Sequence, residues 1–133
     1  MERKQNSAGG AATVDAILEG LNPAQRHAAA YGIDAEKGTP PPLLIAAGAG
    51  TGKTKTLAHR VALLILSGVD PHRVLLLTFT RRAALEMTRR AQQILDASRG
   101  GVTIRAESTL LPWSGTFHSI GNRLLRQYAV RWR

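Results

Sequence analysis

The chain contains no cysteine. That excludes a disulfide framework and a thiolate metal site, and it favours a reducing compartment. The N-terminal stretch MERKQNSAGGAA lacks the apolar core of a signal peptide, and no later run reaches the roughly 18 apolar residues of a membrane span. The expectation is a soluble, cytoplasmic protein with no membrane partner. No internal repeat is present, and 133 residues suit one modest domain with a single core. Acidic residues are also scarce, 9 against 18 Lys and Arg, for a net charge of +9. The imbalance is local: residues 81–133 hold ten Arg, no Lys and three acids, so +7 of the +9 lies there. A polyanion partner is implied. Arginine suits bidentate phosphate contacts and stacking on bases, which points to nucleic acid over a membrane surface, although Arg-rich solvated helix faces would give the same count.

Against that background one segment carries specific chemistry. Leu43 to Thr54, LLIAAGAGTGKT, is an apolar run entering a glycine-rich turn that ends in Lys-Thr and continues as a helical pattern. This is the composition of a phosphate-binding loop. Gly48, Gly50 and Gly52 let backbone N–H groups close around phosphate oxygens, and the following helix offers its positive N-terminal end to the same anion. Lys53 would reach the β and γ phosphates, and the Thr54 hydroxyl would ligate magnesium. Residue 47 is Ala where the usual GxxxxGK[ST] pattern has Gly, so the segment Ala47, Gly48, Ala49, Gly50, Thr51, Gly52, Lys53, Thr54 reads as AxxGxGKT.

The surrounding chain reads as an α/β order. Residues 1–12 are expected to be a disordered leader, and Thr13 to cap a short amphipathic helix carrying Val14, Ile17, Leu18 and Leu21. Asn22, Pro23 and Gln25 form a capping box for an Ala-rich helix running to Tyr31, with Gly32 as terminator. Gly38 to Pro42 is a stiff linker into the phosphate-loop strand. Beyond the loop, Leu57, Val61, Leu64 and Ile65 recur at helical spacing up to Gly68, and Asp70-Pro71 makes a turn. Val74 to Thr78 is a strand, and Ala84, Met87, Ala91 and Ile94 mark a helix starting near Arg81 and fading by Gly100. A third strand is expected at Trp113 to Phe117, then a helix through Ile120, Leu124, Leu125 and Tyr128. Residues 99–112 are the least legible. Alternating strands and helices predict a parallel sheet covered by helices.

Three further constellations bear on function. In LNPAQ, Leu21 to Gln25, the Gln25 amide either reads adenine through N7 and N6 or is simply the capping-box partner of Asn22. In LTFTRRAALEMTRR, Leu77 to Arg90, Phe79 and two threonines sit at a strand end with four arginines on the next helix. The C-terminal edge of a parallel sheet is where ligands bind, and an aromatic beside Arg81, Arg82 and helix N-terminal amides is a platform for a base and its phosphate. The alternative makes Phe79 a core residue and the arginines a solvated face. In GTFHS, Gly115 to Ser119, His118 has no Cys, second His or carboxylate in the segment, so a hydrogen bond to a phosphate or base suits it better than metal or acid-base work.

Taken in order and spacing, LNPAQ, AGAGTGKT, LTFTRRAALEM and GTFHS resemble the start of the UvrD, Rep and PcrA group of superfamily 1 DNA helicases, over about residues 21–128. The resemblance implies a RecA-like P-loop NTPase fold, a parallel sheet flanked by helices that is expected to be incomplete, with ATP and Mg2+ as cofactors and single-stranded DNA as partner in a motor that translocates 3′ to 5′. By this resemblance Gln25 reads adenine, while residues 47–54 hold the nucleotide. Thr78, Phe79 and Thr80, with Arg81 and Arg82 beside them, touch single-stranded DNA, as do Thr116, Phe117 and His118. Two departures concern contacts: Arg81-Arg82 replaces Asn-Lys of several relatives, and Lys55 stands where some have Arg near the nucleotide, a point charge in place of a planar group. A third is an absence. No Asp-Glu pair occurs in the chain, and Asp96 lies within a helical pattern. The carboxylates for magnesium and the attacking water are therefore lacking, as is a second motor domain. Residues 13–133 are expected to be a partial, truncated ATP-binding domain of a helicase used in DNA repair, itself unable to hydrolyse ATP. A stand-alone nucleic-acid-binding module with a vestigial loop is the alternative. A small P-loop kinase ranks last because no acceptor site or lid arginine is evident.

Overall fold

Three of the described helices start at side chains that satisfy otherwise unpaired N–H groups of the first turn. A computed structural model describes residues 14–33, 38–100 and 110–132. Residues 14–18 are helical (α1), followed by α2 (Pro23–Ala30), α3 (Lys53–Leu66), β1 (Leu75–Thr78), α4 (Arg81–Ser98), β2 (Trp113–Thr116) and α5 (Phe117–Tyr128), with 3-10 turns at Pro71–Arg73 and Ala129–Trp132. The Asn22 carboxamide accepts from the Gln25 N–H and the Asn22 N–H donates to Gln25 Oε1, so the expected capping box is complete. Thr80 and Thr116 cap α4 and α5 by accepting from the Ala83 and Ser119 N–H groups. Asp70 caps the turn at Pro71, and the His72 N–H donated to its carboxylate holds its pKa below the ordinary value. Being lowered, it lends support above the ordinary carboxylate pKa, and that support is lost as pH falls through the lowered one.

β1 and β2 pair in parallel, with Leu75, Leu76, Leu77 and Thr78 opposite Trp113, Ser114, Gly115 and Thr116. Parallel pairing needs a long crossover, and α4 supplies it. The core lies on both sides of α3. One cluster joins Ile17, Leu21, Ala29 and Leu63, and the other joins Val61, Ala91 and Leu111. The α3 face that fits between them is mostly small: Thr56, Ala58, Val61, Ala62 and Leu63 are buried. Thr56 satisfies its buried hydroxyl by donating to the Gly52 carbonyl at 3.0 Å.

Arg60 ties α3 to α2. Its guanidinium donates to the carbonyls of Ala28 and Ala29 at 3.2 Å each and of Tyr31 at 2.7 Å, placing a cation on the negative end of α2. Arg60→Met keeps most of the stem and removes these donors. It is expected to lower the unfolding free energy by about 1–3 kcal/mol in urea titrations; a loss below about 0.5 kcal/mol would show the contact to be idle.

Several expectations are corrected. The apolar run before the phosphate loop is not a strand: residues 39–48 have no regular secondary structure, and the sheet among the described residues has two strands. A strand needs a neighbour for its backbone groups, and this run has none there, leaving Leu44 89% exposed. Leu57 is exposed, because α3 turns its alanine-rich face inward and not the larger leucine stripe. Of the apolar residues expected to bury α5, only Ile120 is buried, whereas Leu124, Leu125 and Tyr128 are exposed. On α4, Leu95 and not Ile94 joins Ala84, Met87 and Ala91 in the interior. β2 ends at Thr116, one residue early, because Thr116 becomes the cap of α5. Thr13, the leader at 1–12, and residues 101–109 of the poorly legible segment lie outside the described residues.

Candidate functional site

The glycine-rich segment folds as a tight turn delivered onto a helix N-terminus. Thr51 closes it twice, donating its N–H at 3.4 Å and its hydroxyl to the Gly48 carbonyl. Gly48 thus serves as an acceptor, while Gly50 (φ +74°) and Gly52 (φ +88°) take left-handed backbone that side chains disfavour. Gly52 is the N-cap of α3 and has no side chain to occupy the first-turn N–H groups. Those donors are left for an anion. Lys53 and Thr54, the first residues of α3, are exposed, as are Ala47 and Ala49. The ion pairs among the described residues are His72–Asp70 and Arg90–Glu86, so Lys53 is in neither. A Cβ added at Gly50 would meet nothing within 4 Å, which leaves room over the turn. The donor set and the open space fit a polyphosphate.

Two tethers hold the start of α2 to this loop. Gln25 Nε2 donates to the Thr51 carbonyl at 3.1 Å, and Lys55 Nζ donates to the Gly20 carbonyl. Gln25 is therefore both a cap and a loop contact, and the Lys55 ammonium is drawn toward the turn before α2. Sequence reasoning had no signal for the Thr51 contact, because backbone acceptors leave no mark in composition.

The second constellation gathers at the ends of β1 and β2. Because Thr78 pairs with Thr116 in parallel register, the residues that follow each, Phe79 and Phe117, emerge side by side. Their ring centroids are 5.4 Å apart with a 40° interplanar angle. Phe79 is 91% and Phe117 51% exposed, so neither is a core residue. Around them are the first turns of α4 and α5, with Arg81, Arg82 and His118 exposed. The hydroxyls are mostly engaged locally: Thr78 donates to the Thr80 carbonyl at 2.8 Å, while Thr80 and Thr116 are caps. Gly115 is closely packed, since a Cβ there would lie 2.7 Å from Ser119 Oγ in the first turn of α5 and that hydroxyl would have to shift. Arg123 lies 3.9 Å over the Trp113 ring and donates to the Pro112 carbonyl at 2.6 Å, steadying the entry to β2.

Asp96 sits on α4 and accepts from Gln92 Nε2 at 2.7 Å, so it is not a strand-end carboxylate. Among the described residues no three His, Asp or Glu groups gather as a metal site. A cavity of about 900 Å³ along α5, lined by Leu124, Leu125, Tyr128, Ala129 and Arg131, includes none of the residues above.

The described residues thus define a mixed α/β unit with a glycine-rich turn at a helix N-terminus and an aromatic pair at the end of a small parallel sheet. The chain belongs to the UvrD/REP helicase N-terminal domain family, whose model matches residues 21–133. It is 39% identical over 116 residues to DNA helicase II of Escherichia coli (strain K12), a match covering 86% of this chain and 14% of that protein. It is 40% identical over 112 residues to the ATP-dependent DNA helicase PcrA of Bacillus subtilis (strain 168), covering 84% of this chain and 13% of that one. To the ATP-dependent DNA helicase UvrD1 of Mycobacterium leprae (strain TN) it is 41% identical over 117 residues, 87% of this chain and 13% of the relative. The chain therefore spans about one-seventh of the length of these relatives.

Proposed function

We propose that residues 13–133 form the ATP-binding and single-stranded-DNA-binding part of a 3′ to 5′ DNA helicase motor with a RecA-like P-loop fold, acting in the cytoplasm. The observation that carries this reading is the loop geometry: two left-handed glycines, an uncapped helix N-terminus, and an exposed Lys53 and Thr54 beside open space. In this reading the N–H groups of Gly50 and of Gly52 to Thr54, with the Lys53 ammonium, hold the β and γ phosphates, Thr54 ligates Mg2+, and Gln25 and Lys55 border the base. Magnesium would supply charge neutralisation between phosphate oxygens. Membership of a family whose relatives are named ATP-dependent DNA helicases supports the assignment.

DNA would meet the second constellation. The phenyl rings of Phe79 and Phe117 touch each other, so a base stacks on the outer face of Phe79 and is not sandwiched between them. In this reading Arg81, Arg82 and His118, exposed beside the rings, meet the sugar-phosphate chain together with Thr78, Thr80 and Thr116. The chain has no Asp-Glu pair, so by itself it is expected to bind ATP without turning it over. None of the described helices is long and apolar enough to cross a membrane.

Fluorescence anisotropy with a labelled oligo(dT), with and without Mg·ATP, tests the proposal. The expected result is salt-sensitive binding that responds to ATP and is weakened by Phe79→Ala by about 1–3 kcal/mol, the worth of one stacked base. DNA binding indifferent to both ATP and Lys53→Ala would replace this reading with a nucleic-acid-binding module whose loop is vestigial.

A further inference from the structure

We propose that Gln25 is a positioning residue for the phosphate loop, shaping it for polyphosphate whether or not a base is present. The inference rests on the nucleotide-loop reading above and deepens it.

The Gln25 amide is pinned from two sides. Oε1 accepts from the Asn22 N–H at 3.1 Å and Nε2 donates to the Thr51 carbonyl at 3.1 Å. A flipped amide would set donor against donor at Asn22 and acceptor against acceptor at Thr51, so the partners themselves dictate the orientation. The amide also lies over the last glycine of the loop, where a Cβ on Gly52 would come within 2.6 Å of Nε2. Gly52 holds φ +88° there. Thr51, the residue gripped, is the one that closes the turn back onto Gly48. A continuous chain of hydrogen bonds thus runs from Asn22 through Gln25 and Thr51 to Gly48.

The far end of that chain is anchored. Lys55, on the first turn of α3, donates to the Gly20 carbonyl, and Arg26 donates to the carbonyls of Leu21 at 3.1 Å and Glu19 at 3.3 Å. The segment before α2 is therefore fixed to α2 and α3 together, and Gln25 projects from a held base. A hydrogen bond from a held base restricts the loop more than one from a free chain, because less freedom remains to be lost when it forms. Among the described residues one amide hydrogen and one oxygen lone pair are unused, so the same amide can serve a base without releasing the loop.

Calorimetry on the 133-residue chain with two probes, Mg·tripolyphosphate and Mg·ATP, together with hydrogen exchange of residues 48–54 in the unliganded chain, tests this. Gln25→Met keeps the length and removes both amide bonds. It is expected to weaken tripolyphosphate about 3- to 10-fold, to weaken ATP at least as much, and to speed exchange in the loop. Asn22→Ala is the control for helix stability: it removes the side-chain cap of α2 but keeps the backbone N–H that orients Gln25, and should leave tripolyphosphate affinity within about 2-fold of the parent. Loss of ATP affinity alone, with tripolyphosphate and loop exchange unchanged, would make Gln25 a base reader only and overturn the proposal. An equal effect of Asn22→Ala would overturn it too, as a matter of helix stability. If the parent chain bound neither probe, the nucleotide reading would fall. Loop exchange would then decide separately whether Gln25 restrains the turn.

Discussion

Alanine in place of Lys53 is expected to lower the affinity for Mg·ATP by about 10- to 100-fold while leaving the fold intact. Lys53 opens α3, is exposed, and takes part in neither ion pair found among the described residues. Removing it therefore breaks no ion pair among the described residues, and alanine is a good helix former. What is lost is a charge-assisted hydrogen bond to phosphate, worth roughly 1.5–3 kcal/mol, or one to two decades in Kd. The loop's backbone donors remain, so a residual affinity should persist. The measurement is calorimetric titration of both chains, with urea midpoints to confirm equal stability. Unchanged affinity at equal stability would remove Lys53 from the site and leave the glycine turn without its chemical purpose.

Motifs whose meaning is local were legible in the sequence. The capping box at Asn22, Pro23 and Gln25, the start of α4 at Arg81 and the strand expected at Val74–Thr78 and found at Leu75–Thr78 follow from residue types within a few positions of one another. Relations between distant segments were harder to read. The approach of Phe79 to Phe117 depends on the register that sets Thr78 against Thr116, although the repeated Thr-Phe at two strand ends was a usable hint. Nothing in the local sequence marks Arg60, and only the packing of α3 on α2 brings it to three carbonyls. The strand expected at Leu43 failed for a related reason. Its composition was right, but pairing requires a neighbour, and composition does not supply one. The apolar period of α5 was likewise real, yet its Leu124, Leu125 and Tyr128 face solvent, because period reports a face and not what covers it.

That distinction yields the largest expected change in stability. Leu63→Ala should cost about 2–5 kcal/mol, whereas Leu125→Ala, the same chemical change on the open face of α5, should cost under about 0.5 kcal/mol. Leu63 is 2% exposed and belongs to the cluster with Ile17, Leu21 and Ala29, against which Val14, Leu18, Ile33, Leu66 and Ile94 also pack. Deleting its side chain leaves a cavity among α1, α2 and α3, and two of the neighbours it touches are held by other bonds. Leu21 is fixed through its carbonyl by Arg26, and Ala29 through its carbonyl by Arg60, so the walls cannot readily close inward. Restricted collapse places the cost toward the upper part of the range. A small domain has roughly 5–15 kcal/mol in total, so Leu63→Ala should be substantially unfolded well below the parent's urea midpoint. The loop would suffer with it, because the same α2–α3 packing sets Gln25 over Gly52. Far-UV circular dichroism in urea compares the two variants directly, and similar losses for Leu63 and Leu125 would mean that the interior is not where the structure places it.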